Sequence, residues 1–157
     1  MRTPTRRLRE LGLTLPRAPA PVGSYVPGIR TGNLVLVSGQ IPIADGAVTV
    51  AGKVGRDVTL EEATRAARDC ALNGLAIAAE TAGGLDHITR VVRLAVYVNS
   101  APGFTDQPGV ANGASDLMVD LFGDAGRHAR AAVGANELPL NAAVEVELMV
   151  EVGGDSA

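Results

Sequence analysis

The chain has 157 residues, with 14 Lys and Arg against 17 Asp and Glu and a formal net charge of −3 at pH 7. That length fits one compact domain, able to bury roughly 70% of the surface its unfolded chain exposes. A single cysteine, Cys70, rules out a disulfide framework within the chain, His87 and His128 lack the thiolate neighbours of a zinc site, the acidic balance argues against a duplex-binding module, and no apolar run reaches membrane-span length. The Arg-rich start has no continuous apolar stretch of the secretory type, so a cytoplasmic, soluble domain is expected, with no membrane or nucleic-acid partner. Aromatic residues make up 3% of the chain and Trp is absent, leaving Tyr25, Tyr97, Phe104 and Phe122 as the only rings. A core built instead from Val, Leu, Ile and Ala, diluted by 19 glycines, gains from burying more surface in an oligomer.

In chain order, residues Thr3 to Leu11 suit a short Arg-rich helix stopped by Gly12. Four prolines between Leu13 and Pro27 forbid a regular helix and predict an extended arm along the surface. Leu34 to Ser38 reads as a buried strand after a turn at Gly32 and Asn33, closed by Gly39. A glycine-rich connection over 45–57 has room for a brief strand at Ala47 to Val50. Thr59-Leu60-Glu61-Glu62 is a capping box, and the helix it opens carries small apolar residues at helical spacing from Leu60 to Ala78, with Gly83-Gly84 as its stop. Small side chains on that face imply close packing on a sheet. Period-two alternation then predicts a long strand over 91–98, with Val92, Leu94, Val96 and Val98 on one face. A second helix is expected from about Val110 to Phe122, after the prolines and glycines of the 100–109 loop. Two final strands follow, from Arg130 to Val133 and from Ala143 to Val152. The last has Val144, Val146, Leu148, Val150 and Val152 on one face and Glu145, Glu147 and Glu151 on the other. This order gives an α+β layering in which a mixed sheet carries two helices on one face. The domain spans 21–153, after an arm over 1–20 and before a tail over 154–157.

The open sheet face needs a cover, and solvation accounts for Glu147 and Glu151. Glu145 differs in its company, because a turn over Asn136 to Asn141 would fold its strand back on the one that begins at Arg130. An Arg fork beside a carboxylate is either a structural ion pair or a site where Arg grips a substrate carboxylate while Glu handles a proton. Spacing alone favours the ion pair. No nucleophile pattern surrounds Ser38 or either histidine, Cys70 lies on an apolar helix face, and no phosphate loop occurs.

Tyr25, the run Gly32-Asn33-Leu34-Val35-Leu36-Val37-Ser38-Gly39-Gln40-Ile41-Pro42, Arg130, and Leu138-Pro139 followed by Val144-Glu145-Val146-Glu147 together resemble the reactive-intermediate deaminase family, called RidA or YjgF and also endoribonuclease L-PSP. The resemblance covers about Pro21 to Val152. It implies a chorismate-mutase-like α+β fold and a homotrimer with a central β-barrel, helices outside and sites in the clefts between subunits.

By the same resemblance, Arg130 would hold the carboxylate of a 2-imino or 2-enamino acid. Glu145 would orient or activate water, Tyr25 would close the cleft, Ser38 and Gly39 would form the pocket wall, and Asn112 would lie near the ligand. The implied reaction is hydrolytic deamination to a 2-keto acid and ammonia, with no metal and no cofactor. Ala131 to Asn136 departs from the family pattern, where a small polar residue and a cysteine are usual. The arm and the 100–109 loop resemble a longer, less characterised subgroup. Two other readings stand beside this one: a module that binds a small carboxylate without turnover, and a ribonuclease, against which the acidic charge and the scarcity of stacking aromatics count.

Overall fold

A computed structural model of the protein describes residues 2–21 and 23–154, so the expected tail passes outside the described residues after Gly154. The elements run α1 (Pro4–Glu10), β1 (Gly28–Thr31), β2 (Leu34–Gln40), β3 (Ile43–Ala44), β4 (Ala47–Val48), α2 (Leu60–Ala82), β5 (Ile88–Asn99), α3 (Gln107–Phe122), β6 (Ala129–Ala135) and β7 (Val144–Val152). Five strands form one mixed sheet in the order β1-β2-β7-β5-β6, antiparallel throughout except for the parallel pair β5-β6. Strands β3 and β4 make a separate two-stranded hairpin.

Helix α2 begins where the capping residues place it, with the Thr59 hydroxyl accepting from the Glu62 N–H at 3.1 Å. Such a cap contributes about 1 kcal/mol. Gly83 ends the helix at φ 83°, a left-handed conformation that glycine adopts without a Cβ clash. The alanine-rich stripe lets α2 lie close against β2, β7 and α3. At its crossing with α3 the approach is so tight that a Cβ on Gly113 would collide with the Thr64 carbonyl. The core is aliphatic, as the composition requires. Its largest fully buried side chains include Leu75, Ile77, Leu94, Leu117 and Met118, while Tyr25 is 52% exposed.

The arm is fastened at several points. The Thr3 hydroxyl caps α1, the Thr5 N–H donates to Asp86 Oδ1 at 2.8 Å, and Arg7 Nε donates to the Asp120 carbonyl at 2.9 Å, near the C-terminal end of α3, where a cation is favoured. Leu8 is buried, and Leu11, Leu13, Leu15 and Ala18 pack on the core.

Three sequence expectations need correction. The last two strands do not fold back on each other: β6 pairs parallel with β5 at the sheet edge, and β7 lies between β2 and β5. Both β6 and β7 have a better neighbour in β5, whose 12 residues offer two long edges. Arg130 and Glu145 are therefore not cross-strand partners within the chain. The second correction concerns β5, where a register shift between Val91 and Arg93 reverses the phase of the alternation, burying Val91 rather than Val92. Finally, α3 starts at Gln107 rather than Val110. Asp106 caps it by accepting from the Gly109 N–H at 3.0 Å, and Pro108 sits in the first turn, where its missing N–H costs nothing.

Candidate functional site

Ser38 and Gly39 form a bulge. Val37 pairs with Leu148 and Gln40 with Val146, so two residues of β2 stand opposite the single Glu147 of β7. The Gln40 amide holds this irregular backbone by donating to the carbonyls of Ser38 at 3.0 Å and Gly39 at 3.2 Å. Behind it, Asn73 of α2 donates to the carbonyls of Ile41 and Ile43, fixing where the chain leaves the sheet. The Ser38 N–H and hydroxyl both donate to the Pro27 carbonyl, at 2.9 and 3.0 Å, which ties down the segment carrying Tyr25. The Ser38 hydroxyl thus spends its proton locally and keeps its lone pairs.

Glu145 lies against this bulge. An added Cβ on Gly39 would sit 2.6 Å from Glu145 Oε1, so glycine is what admits the carboxylate. Glu145 is half-buried, and burial, with the Glu147 charge as a second cause, pushes its carboxyl above the usual carboxylate range. On the same face, the Tyr97 hydroxyl donates to Glu147 Oε1 at 3.1 Å.

Arg130 stands elsewhere. It pairs with Leu94, on the helix-covered face of the sheet, and reaches α3, where Nη1 donates to Asn112 Oδ1 at 2.8 Å and to Ser115 Oγ at 3.1 Å. Asn112 and Ser115 are three residues apart and so share a helix face. Among the described residues, Nε and Nη2 donate to no protein group, leaving one edge of the guanidinium in solvent.

Two clusters result. Ser38, Gly39 and Glu145, with Tyr25 on the tethered segment, form one; Arg130 and Asn112 form the other. Glu145 pairs with Tyr97 on the open face, three residues along β5 from Leu94, so the clusters lie about 10 Å apart along the strands and about 10 Å across them, on opposite faces. Grooves of about 610 Å³ beside the arm and about 470 Å³ between α1 and the end of α3 include none of these residues.

Sequence reasoning did not single out Ser115 or His128. Ser115 Oγ lies 2.9 Å from His128 Nε2, and His128 Nδ1 lies 2.7 Å from the Gly126 carbonyl. The available signal was the spacing of Asn112 and Ser115, which put two polar groups on one face of the helix expected from about Val110 to Phe122.

The family model described as "YjgF/chorismate_mutase-like, putative endoribonuclease" matches residues 5–152. Protein TCP17 of Trypanosoma cruzi is 47% identical over 92% of this chain and 91% of its own length. A 2-iminobutanoate/2-iminopropanoate deaminase of Dermatophagoides farinae is 31% identical over 89% of this chain and 94% of its own. Among solved structures, the protein Atu1372 of Agrobacterium tumefaciens, described as of unknown function, is 48% identical with a TM-score of 0.85, covering 96% of this chain and 92% of that one.

Proposed function

The chain belongs to the YjgF/chorismate-mutase-like family, the RidA group, and from that premise we propose that it hydrolyses small 2-enamino and 2-imino acids to 2-keto acids and ammonia as a homotrimer. One observation carries the reading: Arg130 is tethered through Nη1 alone, so the edge formed by Nε and Nη2 is presented for a two-pronged grip on a carboxylate. An imine carbon is already electrophilic, so a held carboxylate, a cleft that limits water and one proton-handling group suffice. Glu145 supplies that group. Its raised pKa keeps it closer to neutral pH than an ordinary carboxylate, which suits it to take a proton from the attacking water and return one to the departing ammonia. Asn112 holds Arg130, while Ser38 offers lone pairs to an N–H of the substrate and Tyr25 covers the cleft.

The same geometry supports assembly with neighbouring copies, and we take the assembly to be a trimer. Within one protomer Glu145 and Arg130 face opposite ways, so a ligand on Arg130 meets a Glu145 only from a neighbouring copy. Edge strands β1 and β6 and an open sheet face with exposed Ile29 and Val133 offer the surface for that neighbour. Three sheets closing into a barrel would cover the face and place sites in the clefts between subunits.

Generating 2-aminoacrylate in situ with a dehydratase and timing keto-acid release tests the activity. The wild type is expected to accelerate release well above the buffer rate, and Arg130→Ala to fall to it, with light scattering reporting a trimer for both. Saturable binding of a keto acid without any acceleration would select the carboxylate-binding reading, and a stable monomer would remove the composite site.

A further inference from the structure

The neighbours of Arg130 have a direction built into them. A carbonyl oxygen only accepts, so the 2.7 Å contact between the Gly126 carbonyl and His128 Nδ1 puts the hydrogen of the neutral imidazole on Nδ1. Nε2 is then an acceptor, and the one proton of the Ser115 hydroxyl, 2.9 Å away, goes to it. What remains on Ser115 Oγ is lone-pair density, which is what the Arg130 Nη1 hydrogen at 3.1 Å requires. Every group in the series Arg130, Ser115, His128, Gly126 therefore donates to the next. Its far end is closely packed: Gly126 is buried so tightly against the Met118 carbonyl that no side chain fits there.

We propose that Ser115 and His128 are positioning residues for Arg130, a relay that fixes the hydroxyl as an acceptor and so presents the Nε and Nη2 edge to a carboxylate. The inference rests on the reading of Arg130 as the carboxylate anchor. Neither residue touches the ligand. Without His128, the Ser115 hydroxyl is free to rotate and donate to the Ala111 carbonyl one turn back, as mid-helix serines do, which turns its lone pairs away from Arg130 Nη1. Arg130 then keeps a firm hold only on Asn112, and its guanidinium swivels about that single contact. Part of the binding free energy must then be spent on immobilising a long side chain that the relay holds in advance.

The test is calorimetric titration of pyruvate into the wild type, Arg130→Ala, Ser115→Ala, His128→Ala, the Ser115→Ala/His128→Ala double variant and His128→Gln, each checked for an unchanged melting curve. Ser115→Ala and His128→Ala should each weaken binding about tenfold. The double variant should be no weaker than either, because links in series are lost once. His128→Gln, whose amide oxygen can accept from Ser115, should recover part of the loss. In turnover, KM should rise while kcat changes little. Wild-type affinity in both single variants, with binding lost in Arg130→Ala, would overturn the relay and leave the anchor standing. Wild-type affinity in Arg130→Ala would overturn the anchor and the relay with it. Should His128→Ala not fold, Ser115→Ala and His128→Gln decide the matter: equal and unaltered affinities in those two overturn the relay.

Discussion

Glu145 is placed by main chain, Arg130 by side chains. A bulge in β2, clamped by the Gln40 amide and backed by Asn73, leaves room for the carboxylate over a residue with no Cβ. Around Arg130 the backbone is a regular edge strand, and the guanidinium is held by Asn112 and Ser115 projecting from α3. A cluster defined by a bulge depends on its glycine and on the two amides, Gln40 and Asn73, that hold the main chain. A cluster defined by side chains depends instead on the spacing between the strand and the helix that supply them.

The largest expected effect follows from that spacing. Gly113 sits between Asn112 and Ala114, where α3 crosses α2, and Gly113→Ala drives a methyl group into the Thr64 carbonyl. The obstacle is backbone, so the helices must part. Even after the better helix propensity of alanine, a loss of roughly 2 kcal/mol is expected in urea unfolding. Carboxylate affinity should fall as well, since Asn112 and Ser115 move with the helix. Wild-type stability together with wild-type affinity would show that the α2–α3 spacing does not control the Arg130 cluster.

Gly39→Ala probes the other cluster and should separate stability from function. The atoms in its way are the end of a flexible side chain, with Glu145 Oε1 at 2.6 Å, so Glu145 can swing aside. Stability is expected to change by less than about 1 kcal/mol, the range of substitutions outside the core and caps. Keto-acid release should nevertheless drop by about tenfold or more, because general acid-base groups contribute through position. Binding of pyruvate to Arg130 should be weakened less than turnover.

Elements whose periodicity is local were legible in the sequence. The Thr59 cap, the Gly83 stop and the valine face of β7 all lie within a few residues of what they specify. Pairing was not legible, because a short turn between Ala135 and Val144 looks the same whether its strands pair with each other or each pair with β5. The bulge in β5 hid in the same way: Val91 and Val92 are both valines, so no residue type marks the change of phase. For the site, Ser38 and Gly39 entered by resemblance, and the bulge they form with its Gln40 clamp, though contiguous in sequence, was not read from it. The company of Arg130 comes from α3 and from the turn before β6. Asn112 entered only by resemblance, Ser115 was marked only by its spacing from Asn112, and His128, 13 residues further on, left no local trace.

The smallest effect concerns the charge on Glu145 itself. Burial raises its folded-state pKa, with Glu147 as a second cause, so in acid the group is protonated in both folded and unfolded chains and carries no penalty. As pH rises, the unfolded chain ionises first while the folded one retains its proton. Stability therefore falls through the window that begins at the ordinary carboxylate range and ends at the raised value, and remains lower above it. Glu145→Gln removes that step while keeping the shape of the side chain. Its stability relative to the wild type should accordingly improve as pH rises through this window, by under about 1 kcal/mol because the group is only half-buried and solvent screens it. Urea midpoints measured from pH 4 to pH 8 would show the two curves diverging. Parallel curves would mean that the bulge at Ser38 and Gly39 leaves Glu145 as well solvated as any surface carboxylate, and the case for it as a proton handler near neutral pH would lose its physical basis.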